Sequence, residues 1–160
     1  MKQLYDYHAW ANERMLEHLA LYPEVFTKPA AGPFPSISRT FEHIYDVDRL
    51  WFSRMKKAGG TAGGETHFST AMEAKKAFAN LQKEVRDFLS AELDGHKIIK
   101  YQDKQGVSFE NTLAELITHV VNHGTSHRGN VVVMLRQAGY GSCPTDFIYF
   151  LRENKSGTHI

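Results

Sequence analysis

The chain has 160 residues, which suits one domain with a single sizeable core, and its 42% hydrophobic and 23% charged residues are those of an ordinary globular protein. A net charge of +1 with no basic stripe argues against nucleic-acid binding, and no apolar run reaches membrane-spanning length. The opening Met-Lys-Gln-Leu-Tyr lacks the apolar core of a signal peptide, and Cys143 as the sole cysteine forms no internal disulfide, so a cytoplasmic protein is expected.

In chain order, Leu4, Tyr7, Ala11, Met15 and Leu19 recur at helical spacing and predict a helix from Lys2 to about Ala20. Pro23 and the stretch Pro29 to Pro35 break the pattern and predict a loop. A second helix begins at Ser36 or Ser38, either of which can cap it, and runs to about Lys57. Its apolar stripe is Ile37, Phe41, Ile44, Val47, Trp51 and Met55. Gly59 to Gly64 reads as a flexible connection. The third helix starts near Ser69 or Thr70, with Glu73 placed for a capping box, and ends near Ala91. Met72, Phe78, Leu81, Val85, Phe88 and Leu89 are its expected buried face. Residues 97–109 alternate around Asp103-Lys-Gln-Gly106 and predict a small β-hairpin. The fourth long helix covers about Thr112 to Gln137, with Gly139 as its stop, and a short last helix follows from Asp146 to Arg152. Residues 154–160 read as a frayed end. Without a repeat or a second core, the expected architecture is an all-α, antiparallel four-helix bundle over residues 1–160, with a hairpin before the fourth helix and a short C-terminal helix.

The chemistry lies in the nine histidines, three of which (His119, His123, His127) stand four apart on the fourth helix. Residues four apart share a helix face, so an adjacent pair can meet one ion. The outer two cannot, since about 12 Å of helix rise separates them. On the helical wheel Leu113, Leu116, Val120, Val131 and Met134 mark the inward direction. His127 lies near its centre, His123 near its edge and His119 further out, so His123 and His127 are the expected pair. Burying two imidazoles demands a metal or hydrogen-bond partners. His43, at the border of the second helix's apolar stripe with Val47 and Leu50, is the expected third ligand. Three neutral imidazoles suit zinc, nickel, iron or copper rather than calcium or magnesium, and three protein ligands leave a coordination position open.

His119 is read as a hydrogen-bonding neighbour of the site. His8, His18, His67, His96 and His159 are read as solvated. Asp46, one turn from His43, is read as a solvated or capping charge before an orienting carboxylate. Arg128 points away from the histidine pair and is read as part of a structural or interface ion pair. Tyr45 and Arg54 are pocket candidates that nothing in the sequence selects, and Cys143 is read as an ordinary thiol. His123-Gly-Thr-Ser-His127 has Gly124 where a zinc peptidase carries its general-base glutamate, so that mechanism is not supported. Gly124 inside a helix costs roughly 1 kcal/mol relative to alanine, and close packing beside the site is one reason to keep it.

Several segments carry a resemblance that spans nearly the whole chain: residues 7–16, residues 36–51 with Phe41-Glu-His43 and Arg49-Leu-Trp51, and residues 144–148. The most specific is Asn122-His-Gly-Thr-Ser-His-Arg-Gly129, followed by Asn130 where glutamine is common. With these the chain resembles the DinB-like four-helix-bundle proteins, related in architecture to YfiT-type metal-dependent hydrolases. The resemblance implies a divalent-metal site at His43, His123 and His127, and a homodimer. It also implies thiol-dependent S-transfer to small electrophiles, with a low-molecular-weight thiol as partner, as one activity of similar bundles. Metal-dependent hydrolysis and a non-enzymatic, metal-binding role in the stress response are the alternatives. It does not imply nucleic-acid or membrane binding, and it names no catalytic acid or base.

Overall fold

A computed structural model describes residues 1–56 and 66–156, with the side chains of residues 155 and 156 left aside. The glycine-rich connection expected at residues 59–64 and His159 lie outside the described residues. The elements are α1 (Lys2–Ala20), α2 (Pro23–Phe26), α3 (Ile37–Met55), α4 (Ala71–Ala91), β1 (Ile98–Gln102), β2 (Ser108–Thr112), α5 (Leu113–Gln137) and α6 (Phe147–Ser156). α1, α3, α4 and α5 form the four-helix bundle, and α6 packs back against α1. No helix among the described residues is long and apolar enough to cross a membrane.

Capping explains where the long helices begin. Ser36 Oγ accepts the Arg39 amide at 3.2 Å and starts α3. Thr112 and Glu115 close a reciprocal capping box on α5, each side chain taking the other's backbone amide. On α4 the box is shifted: Thr70 Oγ1 accepts from Glu73 N, but the Glu73 carboxylate takes the Ser69 amide. Gly139, at φ +88°, allows the turn that ends α5.

Two expectations are corrected. The segment at Pro23 is not loop throughout: Pro23 opens the single-turn helix α2, where its missing N–H costs nothing and its fixed φ suits the first helical position. This turn buries Val25 and Phe26. Met72 is 55% exposed, so the inner face of α4 runs instead through Ala71, Ala74, Phe78, Leu81, Val85 and Leu89. The hairpin pairs Ile98 with Thr112 and Tyr101 with Phe109, a little longer than its sequence pattern suggests. Its turn is held by the Asp103 carboxylate, which accepts the Gln105 and Val107 amides.

The core is split along the bundle axis. Tyr5, Phe52, Met55, Leu81, Val85, Leu113 and Val120 pack at the hairpin end. Met15, Leu19, Phe26, Phe41, Phe78, Val131 and Leu135 pack at the other. The residues that intervene in sequence on three helices are buried and polar: His8 and Asn12 on α1, Asp48 on α3, and Arg128 on α5. A polar layer thus sits between two apolar blocks, and two of its three helices, α3 and α5, also carry the candidate site.

Candidate metal centre

α3 and α5 run antiparallel, with Thr40 meeting Met134 and Trp51 meeting His119. This direction brings His43 opposite the His123–His127 pair. His123 Nε2 lies 3.1 Å from His43 Nε2 and 3.1 Å from His127 Nε2. One nitrogen from each ring falls within a set no wider than 4.8 Å, and these three residues could hold a metal ion. Two nitrogens bound to one zinc ion at about 2.0–2.1 Å stand roughly 2.9–3.4 Å apart. The two separations from His123 match, so the donor set suits a divalent transition ion.

Electrostatics favour the ligand form. Burial is the largest influence holding all three imidazoles below the ordinary histidine value. His123, flanked by His127 and His43, is pushed down to about 3. Asp46 partly offsets the effect at His43. All three rings are therefore neutral at pH 7 and need no deprotonation before they bind an ion. Because protonation opposes binding, metal affinity should hold as the pH falls from 8 to 7 and persist to lower pH than three ordinary imidazoles would allow. It should fall only as the pH drops through the lowered values. A titration of metal affinity against pH checks this, and a steep fall already between pH 8 and 7 would contradict it.

The surroundings are aromatic and amide in character. Phe34 covers one end of the trio, its ring centroid 4.9 Å from His43 and 5.3 Å from His127. Asn130 lies 3.5 Å from His127 Nδ1. With Nε2 turned to an ion, Nδ1 carries the proton, and a half-turn of the Asn130 amide, whose Nδ2 is the atom nearest the ring, brings its oxygen there as acceptor. His123 Nδ1 is buried with no hydrogen-bond partner among the described residues. Asp46 does not orient His43: its carboxylate accepts from Thr66 Oγ1 at 2.5 Å and stands 3.8 Å from Arg49.

His119 is exposed, and its ring packs on Trp51 at 4.9 Å rather than making the hydrogen bond expected of it. His67 and His96 are exposed as expected, while His18 is half-buried against the Gly141 carbonyl. Tyr45 packs with Phe68 and Phe78 rather than lining the trio. Cys143 Sγ is half-buried at 3.6 Å from the Arg14 carbonyl, and burial pushes its thiol up, as befits an unreactive cysteine.

His8 is the clearest correction. It is fully buried, not solvated, because Asp48 and Asn12 receive it: its Nε2 is 2.8 Å from Asp48 Oδ2 and 3.0 Å from Asn12 Nδ2. Arg128 Nη1 donates to Asn12 Oδ1 at 2.8 Å, and Nη2 donates to Thr125 Oγ1 at 3.0 Å. Arg128 is therefore structural, and it is internal to the chain, at 2% exposure. This cluster lies behind the trio: Arg128 follows His127, Gly124 follows His123, and Asp48 is on the helix of His43.

Gly124 is explained by the same contact. A Cβ there would lie 2.3 Å from His8 Cε1 and 2.9 Å from Arg128 Nη1. Gly124→Ala gains helix propensity worth about 1 kcal/mol, yet it forces a packed ring and a buried guanidinium apart, at about 1–3 kcal/mol. Denaturant titration should find the variant less stable than the wild type. Equal or greater stability would show that His8 yields freely.

Comparisons with known proteins bear on the family and the fold. Residues 1–157 match the sequence model of the DinB family. The chain is 35% identical, over 163 aligned positions, to Protein DinB of Bacillus subtilis (strain 168), covering 96% of this chain and 95% of that protein. A crystal structure of a DinB-like protein from Bacillus cereus ATCC 10987 superposes with a TM-score of 0.67 at 19% identity, covering 87% of this chain and 91% of that one. That similarity shows the shared fold, and the family match together with the Bacillus subtilis relative establishes that the chain belongs to the DinB family.

Proposed function

We propose that this protein holds one divalent transition metal ion through Nε2 of His43, His123 and His127 and uses it to activate a low-molecular-weight thiol for transfer to a small electrophile. The convergence of three neutral imidazole nitrogens from two helices carries the reading. Three uncharged ligands leave the ion's full charge uncompensated, and such an ion lowers the pKa of a thiol or water brought beside it.

The protein's own groups favour the thiol over water. Among the described residues no carboxylate is hydrogen-bonded to the three histidines, and Asp46 and Asp48 are engaged elsewhere. Hydrolysis of an amide or ester needs a proton delivered to the leaving group, and none of the described residues is placed as an acid to supply it. S-transfer needs less: the sulfur forms a bond to the electrophilic carbon, the leaving group departs with its electron pair, and the thiol proton passes to solvent. Phe34 supplies an apolar wall on one side of the trio, which suits a small uncharged electrophile and limits water there.

Turnover assays on metal-loaded protein test the reading. Consumption of a monochlorobimane-type electrophile that requires an added thiol, and that disappears in His127→Ala, is the expected result. Ester cleavage without thiol would replace this reading with hydrolysis. Silence in both assays with metal retained would leave a metal-binding protein without this activity.

A further inference from the structure

Beyond the trio, the α3–α5 seam continues toward the hairpin. His119 follows His123 along α5, their ring centroids 6.0 Å apart. Trp51, two turns from His43 on α3, packs against His119 at 4.9 Å and against Tyr101 of β1 at 5.1 Å. The Arg54 guanidinium lies over both rings, 4.5 Å from the Trp51 centroid and 4.8 Å from that of Tyr101. One of its nitrogens, Nη2, donates to the Gln102 carbonyl at 3.0 Å. Among the described residues Arg54 has no carboxylate partner, whereas Arg14, Arg39, Arg49 and Arg86 each stand beside one.

We propose that Arg54, lodged between Trp51 and Tyr101, is a carboxylate-recognising subsite for the substrate whose other end meets the metal centre. The chemistry follows from that placement. A guanidinium held in the corner between two aromatic rings set at 81° to each other is confined in position, and its planar fork of N–H groups matches a carboxylate. The Gln102 carbonyl fixes the rotation by occupying one donor and leaving the others. The spacing selects the ligand's length. The Arg54 guanidinium lies over Trp51, and the eight-residue step from His43 to Trp51 amounts to about 12 Å of helix. A tripeptide-sized thiol bearing a carboxylate, at up to about 10 Å fully extended and about 2.3 Å from sulfur to ion, approaches such a distance, and a two-carbon thiol does not. This inference rests on the reading above, that a donor group of the ligand reaches the ion.

Cobalt(II)-loaded protein separates the two claims, because a thiol reaching the ion gives a sulfur-to-cobalt absorption band. The probes are glutathione and glutathione diethyl ester, which share the thiol and differ in carboxylate charge. In the wild type, glutathione should bind roughly tenfold more tightly than the ester, as fits a charge-assisted hydrogen bond at a half-buried site, and the preference should shrink with added salt. In Arg54→Gln the preference should fall to near one while metal content and the affinity for the ester stay unchanged. Arg54→Lys should restore part of it, a point charge replacing a fork. If the band forms with both probes and the preference is the same in wild type and Arg54→Gln, the subsite is overturned and the metal reading stands. If no band forms with either probe, the thiol reading fails and the subsite falls with it. A variant that loses both probes equally gives Arg54 only the role of tethering the hairpin, which also overturns the proposal.

Discussion

Replacing His127 with alanine should strip the protein of its metal. Elemental analysis of untagged wild type should give close to one divalent ion per chain, and the variant should retain a small fraction of it. Removing one of three ligands should cost more than the 10–100-fold in affinity lost when only a partner of a ligand is removed. His43→Ala and His123→Ala should behave alike, because both rings belong to the same set of donor nitrogens within 4.8 Å. His119→Ala is the control. Its exposed ring packs on Trp51, and metal content should be unchanged. Retention of metal in His127→Ala would mean that the ion sits elsewhere.

The second large effect concerns the fold. Asp48→Ala should destabilise the protein by about 3–5 kcal/mol, the cost of stranding buried charge. Asp48 is 3% exposed and takes a hydrogen bond from His8 at 2.8 Å. Its charge also supports the Arg128 guanidinium, whose pKa burial pushes down. Without Asp48, the cation and the imidazole remain in the polar layer between two apolar blocks with no anion to balance them. For a chain of this size the melting temperature should fall by on the order of 10 °C. Calorimetry on the metal-free proteins measures it without a contribution from metal binding. A shift of a degree or two would mean that water reaches the layer.

These two results bear on how the sequence encodes the site. The bundle was legible because apolar spacing and helix caps agree, as with Ser36 before Ile37 and Thr112 before Leu113. The trio was legible because three histidines at fixed helical spacing leave few geometries, and one more ring on the facing helix completes the set. The polar layer was not. His8 carries no mark that separates it from a solvated histidine, since its burial depends on Asp48 and Arg128, far away in sequence. One signal was present: Asp48 interrupts the run Phe41, Ile44, Phe52, Met55 on the inner face of α3. A carboxylate in that position requires buried partners, and Gly124 marks where one of them makes room. Met72 is exposed because it stands about 100° around the helix from Ala71, off the inner face that Ala71, Ala74 and Phe78 set.

X-ray absorption spectroscopy on zinc-loaded protein addresses the coordination of the ion directly. Three imidazole nitrogens at about 2.0–2.1 Å, joined by a single sulfur near 2.3 Å when a thiol is added, is the spectrum expected of a site with one place to spare. One or two imidazoles, or a first shell that does not change with thiol, would contradict it.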